Sequence, residues 1–176
     1  MDIITIDTPR LLLRHWQIDD AEALFRYASD SRVSRMALWP THTSVEMSRE
    51  VIEQIFIPNT ESFAIVLKET YEPIGCIGLV PNGLEHLSTT MSEREIGYWI
   101  GYKYWGMGLV TEALTALINY CHDTLHIDSL LITTDSRNIG SQRVAEKCGF
   151  KYDRDFMLDG IESKAFRMPL RPDKTI

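Results

Sequence analysis

The feature that most constrains this chain is a strand that runs into a pair of glycines and out into a long amphipathic helix. Ile96, Tyr98 and Ile100 alternate with Glu95, Gly97 and Trp99, the period-2 pattern of a strand with both faces largely covered. The alternation stops at Tyr104-Trp105-Gly106-Met107-Gly108-Leu109. Two closely spaced glycines there let the backbone turn sharply and let a ligand reach main-chain N–H groups that no Cβ shields. Val110, Ala113, Leu114, Leu117, Cys121 and Leu125 then recur at helical steps and predict one apolar stripe. The first N–H groups of such a helix lack intrahelical partners and lie at the positive end of its dipole. A glycine turn that opens a helix is therefore suited to a phosphate.

Two common phosphate binders do not fit these residues. A P-loop places Gly-Lys-Ser/Thr after its turn, whereas Gly108 is followed by Leu109-Val110-Thr111. A dinucleotide fingerprint calls for a third small residue where Thr111 stands and for an early βαβ unit, but this turn lies past mid-chain. After the helix, Leu130-Leu131-Ile132-Thr133-Thr134 reads as a second strand. Asp135-Ser136-Arg137-Asn138 then turns into a short helix that ends before Gly149, a left-handed cap.

Upstream, Arg10 to His15 alternates as a first strand, and Asp19-Asp20-Ala21 opens a helix through Ala28. Pro40 breaks the chain. A second helix is expected from Ser44 to Pro58, followed by buried strands at Phe63–Leu67 and Pro73–Val80, with Gly75 and Gly78 marking bulges or close backbone approach. Asn82 to Ser92 reads as a polar loop of functional length. Phe150 to Leu158 and Lys164 to Leu170 are expected to pair through a hairpin at Asp159-Gly160, and the last six residues to fray.

These 176 residues suit one domain, 1–176, with an α/β mixed sheet and no internal repeat. A net charge of −7 argues against nucleic acid as a partner. No apolar run is long enough for a membrane span and the N-terminus has no basic segment before an apolar core, so a cytoplasmic protein is expected. Cys76, Cys121 and Cys148 are odd in number and widely spaced, as reduced core thiols are. His122 and His126 have a spacing that can hold zinc, but no third ligand accompanies them, and no metal is expected.

Trp105-Gly106-Met107-Gly108-Leu109-Val110-Thr111-Glu112-Ala113, then Asn138-Ile139-Gly140-Ser141 and Glu146-Lys147-Cys148-Gly149-Phe150, resemble the GNAT acetyltransferases. Thr8-Pro9-Arg10-Leu11-Leu12-Leu13-Arg14 and Asp19-Asp20-Ala21 are similar to the RimJ/RimL-like branch, which acetylates protein N-terminal amines. The resemblance implies the GNAT fold, α/β (α+β in some schemes). Its central mixed, mostly antiparallel sheet has about seven strands, splayed at the CoA site and flanked by about four helices. It also implies acetyl-CoA as cosubstrate and direct transfer, in a ternary complex, to a peptide N-terminus. The alternatives are a small amine such as a polyamine or aminoglycoside, and a non-catalytic acyl-CoA-binding module. Monomer and homodimer both stay open.

By the same resemblance, the pyrophosphate falls on Trp105, Gly106, Met107, Gly108, Leu109 and Val110, and the pantetheine arm on the main chain of Trp99, Ile100 and Gly101. Where the family carries Gln or Arg, this chain has Lys103, which keeps charge without the planar fork. Arg137, Arg143 and Lys147 are the other cations near the motif. Ser141 is the general-acid candidate, with Asn138 either holding the arm or capping the helix. Glu95 is the candidate base, acting directly or through water, and His86 is a second candidate. Trp99 and Trp105 either line the channel or pack; Trp16 and Trp39 either shape the acceptor pocket or pack. No cysteine sits in a nucleophile motif, which disfavours an acetyl-enzyme.

Overall fold

The computed structural model describes residues 4–87 and 92–171. Part of the polar loop, 88–91, and all but the first of the six residues expected to fray, 172–176, lie outside these residues. The strands are β1 (Thr5–Asp7), β2 (Leu11–His15), β3 (Ser62–Leu67), β4 (Glu72–Leu79), β5 (Glu93–Ile100), β6 (Ser129–Asp135), β7 (Lys151–Leu158) and β8 (Ile161–Pro169). They form one sheet in the order β1-β2-β3-β4-β5-β6-β8-β7. Every neighbouring pair is antiparallel except β5 and β6.

Among the described residues, five α-helices accompany the sheet: α1 (Ala21–Ala28), α2 (Ser31–Ala37), α3 (Val45–Val51), α4 (Leu109–Asp123) and α5 (Ile139–Lys147). Alternation along the strands divides the core. Phe63 and Ile65 pack with Leu114 and Leu117 of α4 on one face, whereas Ala64 and Val66 pack with Leu24 of α1 and Trp16 on the other. Gly75 and Gly78 mark close backbone approach, since a Cβ on either would lie 2.4 Å from the carbonyl oxygen of Trp99 or Glu61. Gly149 has φ +95°, as a left-handed helix end requires. Among the described residues, no helix is long and apolar enough to cross a membrane.

The expected architecture holds, with an added strand and an added helix. β1 is three residues long with one apolar member, Ile6, too short for a periodic signal. α2 carries few apolar residues, yet it has a cap at each end: the Asp30 side chain accepts from Arg32 N–H, and Leu38 turns left-handed at φ +60°. The helix expected from Ser44 to Pro58 continues from α3 as a π-helical segment, Ile52–Phe56. β8 begins at Ile161, three residues before the expected start.

Candidate active site

The central break in the sheet comes from the one parallel pairing. Among the described residues, β5 and β6 pair at Glu93 with Ser129, Arg94 with Leu130 and Glu95 with Leu131. Beyond these residues β5 follows β4 as far as Ile100, and β6 follows β8 as far as Asp135, so a wedge opens between them. The Glu95 carbonyl accepts from Val80 N–H and the Gly101 N–H donates to the Ile74 carbonyl, each at 2.8 Å on the β4 side. Main-chain groups alternate along a strand, so those of Tyr98 and Ile100 face the wedge. This is a register step from the expected set. Trp99 and Gly101 direct their amides away, and the Ile100 carbonyl is already taken by Trp105 Nε1 at 3.0 Å.

Where β5 ends, Gly106 and Gly108 both adopt φ +75°, and Gly108 caps the start of α4. Among the described residues, no group accepts from the main-chain N–H of residues 106–111. A Cβ on Gly106 would meet nothing within 4 Å, so the turn leaves that side open. Gly106, Gly108, Val110 and Thr111 line a cleft of about 600 Å³, which spans the wedge between β5 and α5. α2, absent from the expected elements, supplies its third wall through Val33, Met36 and Ala37.

Of the expected ligand residues, Trp99, Ile100, Trp105, Gly106, Gly108, Val110, Asn138, Ser141 and Lys147 line this cleft, joined by Arg137 and Arg143. Leu109 is buried in the core, and Gly101 packs on the Tyr27 ring. Met107 is exposed, with its carbonyl held by Arg10 Nη1 at 3.0 Å. Lys103 extends its ammonium over Tyr104, 4.8 Å from the ring centroid, and does not line the cleft. Positive charge at the cleft comes instead from Arg143 and Lys147, one helical turn apart on α5, and from Arg137. Asn138 caps α5 by accepting from Ser141 N–H at 3.1 Å while also lining the cleft, so the capping and lining alternatives coexist.

Tyr98 was not among the expected residues. Its hydroxyl lies 3.0 Å from Ser141 Oγ and 3.1 Å from the Ser141 carbonyl oxygen, and its one hydrogen can be donated to either. Burial pushes this phenol above its ordinary range, which further disfavours the phenolate. The signal available in the sequence was strand parity, which places Tyr98 on the opposite face from Trp99.

A second pocket, of about 100 Å³, shares Met36, Ala37, Tyr98, Asn138 and Ser141 with the cleft. Its walls bring together both candidate bases, Glu95 and His86. Glu95 is 1% exposed; its Oε2 accepts from His86 N–H at 2.8 Å, and its Oε1 lies 2.7 Å from His86 Nδ1 and 2.5 Å from Thr133 Oγ1. The hydrogen bond to Glu95 raises the pKa of His86 against the opposing effect of burial. Asp135, also in this wall, is paired with the Arg137 guanidinium at 2.5 Å. Trp39 packs edge-on against Trp99, and Trp16 stacks on Phe56 within the core. His122 bonds Asp123, and His126 lies beside Arg171, away from both pockets.

A cleft with bare amides and cations at one end, joined to a pocket floored by a carboxylate and an imidazole, suits movement of an acyl group from a long phosphorylated carrier. The class defined in this way is an acyltransferase. Over residues 10–151 the chain matches the acetyltransferase (GNAT) domain, and it belongs to that family. It is 30% identical over 151 residues to the uncharacterized N-acetyltransferase p20 of Bacillus licheniformis, covering 84% of this chain and 82% of that one. Across 66 residues it is 38% identical to the [ribosomal protein uS5]-alanine N-acetyltransferase of Escherichia coli, covering 36% of this chain and 34% of the relative. Its fold superposes with a TM-score of 0.78 on RimL, a ribosomal L7/L12 alpha-N-protein acetyltransferase solved in complex with coenzyme A. That match is 20% identical and covers 94% of this chain and 98% of RimL.

Proposed function

We propose that the protein transfers acetyl from acetyl-CoA to the α-amine of a peptide or protein N-terminus, directly and within a ternary complex. The observation that carries this is the junction of two pockets at Tyr98 and Ser141, with the anion cradle on one side and Glu95 on the other. The unpartnered amides of residues 106–111 fit a diphosphate, and Arg143 and Lys147 fit its remaining charge. Tyr98 offers its main-chain groups, and Ile100 its N–H, to the amides of a pantetheine arm. The Ser141 hydroxyl, held by Tyr98, is placed to protonate the departing thiolate. Glu95 supplies the negative charge toward which the acceptor's ammonium is drawn.

Direct transfer is supported by the state of the thiols. Burial raises the pKa of each cysteine, that of Cys121 to about 12, and none lines either pocket. A single α-amine is favoured over a polyamine because both carboxylates in the small pocket already have partners: Glu95 has His86 and Thr133, and Asp135 has Arg137. A polycation needs carboxylates left over for its further charges. The uS5-alanine acetyltransferase among the relatives supports the same acceptor class.

The test is a thiol-release assay with acetyl-CoA over N-terminal peptides, polyamines and aminoglycosides, with the Glu95→Ala protein alongside. Turnover on peptides with a free α-amine, absent on their blocked forms and reduced in the variant, is the expected outcome. Turnover confined to polyamines would replace the acceptor. CoA binding without turnover on any amine would point to a binding module.

A further inference from the structure

We propose that His86 is the catalytic residue that takes the acceptor's proton, and that Glu95 is the positioning residue that acts through it. This rests on the amine-acceptor reading above and assigns a proton route within it. Glu95 was expected to serve as the base itself, directly or through water. Its surroundings favour a different division of labour. The carboxylate side chain is 2% exposed, and both of its oxygens are engaged by donors from the His86 main chain, the His86 ring and Thr133. The imidazole is 43% exposed and lines the same small pocket as Tyr98 and Ser141.

The tautomer follows from the bonding. A carboxylate oxygen only accepts, so Nδ1 carries the hydrogen in the 2.7 Å contact with Glu95. In the neutral ring the lone pair is then on Nε2, which has no partner among the described residues, and the side chain that carries it is half-exposed. The main-chain N–H of His86 bonds to the same carboxylate at 2.8 Å, so backbone and ring are fixed together. Thr133 comes from β6 two residues after that strand leaves β5, which places the pair at the mouth of the wedge.

The proton balance is complete. The N–H bond of the acceptor's ammonium breaks and its proton bonds to His86 Nε2, giving an imidazolium stabilised by Glu95. The freed lone pair forms the C–N bond as the C–S bond breaks. Ser141 gives its hydroxyl proton to the thiolate, the nitrogen loses its second proton, which restores the Ser141 hydroxyl by way of solvent, and His86 returns the first proton to solvent. The charged and titratable groups around the ring are Glu95 and Tyr98 from β5 and Asp135 from β6 with its Arg137 partner, which share its pocket or border it, and Asp159 from the turn between β7 and β8, whose charge acts on it. Met36, Ala37 and Leu38 of the α2 region add no charge.

The test uses the full chain with acetyl-CoA and the best acceptor from the peptide panel, following kcat/KM against pH. Wild type is expected to rise with pH along a limb set by His86. In His86→Gln that limb disappears and kcat falls about 100-fold or more, with the affinity for acetyl-CoA within about twofold of wild type as a check on folding. His86→Ala is expected to recover activity with added imidazole. Glu95→Gln keeps a limb, displaced to lower pH because the carboxylate that raises His86 is gone. Near-wild-type kcat and an intact limb in His86→Gln overturn the proposal, as does a limb that Glu95→Gln abolishes and His86→Gln retains. Acetyl-CoA binding with no wild-type turnover on any amine overturns the acceptor reading, and this proposal with it.

Discussion

Arg10 and Glu112 lie 102 positions apart, yet Arg10 donates to the same carboxylate twice, from its main-chain N–H at 2.8 Å and from Nε at 2.7 Å. Thr8 Oγ1 adds a third bond at 2.7 Å. Arg10 Nη1 reaches past Glu112 to the Met107 carbonyl, between the two cradle glycines. The corner between β1 and β2 therefore anchors the first turn of α4 and the loop before it. Arg10→Ala is predicted to raise the Kd for acetyl-CoA about 5-fold, equivalent to about 1 kcal/mol for this half-exposed pair. The kcat at saturating donor should stay nearly unchanged. Calorimetric titration and steady-state rates check the two parts separately.

Tyr98 and Ser141 share a hydrogen bond, so their effects should not add. A thiol leaves readily because its ordinary pKa is about 8.5, and help from a hydroxyl is correspondingly modest. Ser141→Ala is predicted to lower kcat about 10-fold and Tyr98→Phe by a similar factor. The double variant should be little worse than either single one. Independent losses that multiply to about 100-fold would separate the two hydroxyls.

The glycines near the wedge divide by mechanism. Gly108→Ala faces no atom closer than Arg10 Nη2 at 3.6 Å, so its cost is the left-handed backbone, about 1–2 kcal/mol. The protein should fold with a slightly lower Tm and bind acetyl-CoA poorly. A Cβ on Gly101 would stand 2.5 Å from the Tyr27 ring, and one on Gly75 would stand 2.4 Å from the Trp99 carbonyl oxygen. Gly75→Ala is predicted to lower Tm most, because a strand backbone cannot swing aside as a side chain can. Thermal melts of the three variants give the ranking.

Hydrogen bonds from the Arg137 guanidinium hold Asp135 below the ordinary carboxylate range. A carboxyl depressed in the folded state adds stability above its unfolded pKa, about 3.9, and loses it as pH falls through the folded value. In Glu112, burial pushes the pKa up, but Thr8 and Arg10 pull it down further, so the sign is the same. The Tm advantage of wild type over Asp135→Asn should therefore be level near neutral pH and shrink below about pH 4. An advantage that persists at lower pH would assign it to packing.

Most of the seven expected strands and four expected helices were legible through an apolar stripe or run, whereas β7, almost wholly exposed, was legible through the Asp159-Gly160 turn that pairs it with β8. The cradle was legible because Gly106 and Gly108 break one pattern and open another. α2 escaped notice because its wall function rests on Val33, Met36 and Ala37, too few to make a period, and its sign in the chain is the Asp30 cap. Lys103 drew attention by its position next to the motif, but the turn at Tyr102–Tyr104 directs it over an aromatic ring. The contact between His86 and Glu95 joins a loop to a strand, and no local pattern encodes such a meeting.

The central claim is that bare amides at residues 106–111 receive the diphosphate of acetyl-CoA. Amide nitrogen–proton correlation spectra of the labelled protein, recorded through a titration with CoA, read those groups one by one. The largest shifts are predicted at Gly106, Gly108, Leu109 and Val110, with smaller ones at Tyr98 and Ile100. Saturable CoA binding that leaves the Gly106 to Val110 signals in place would contradict the account.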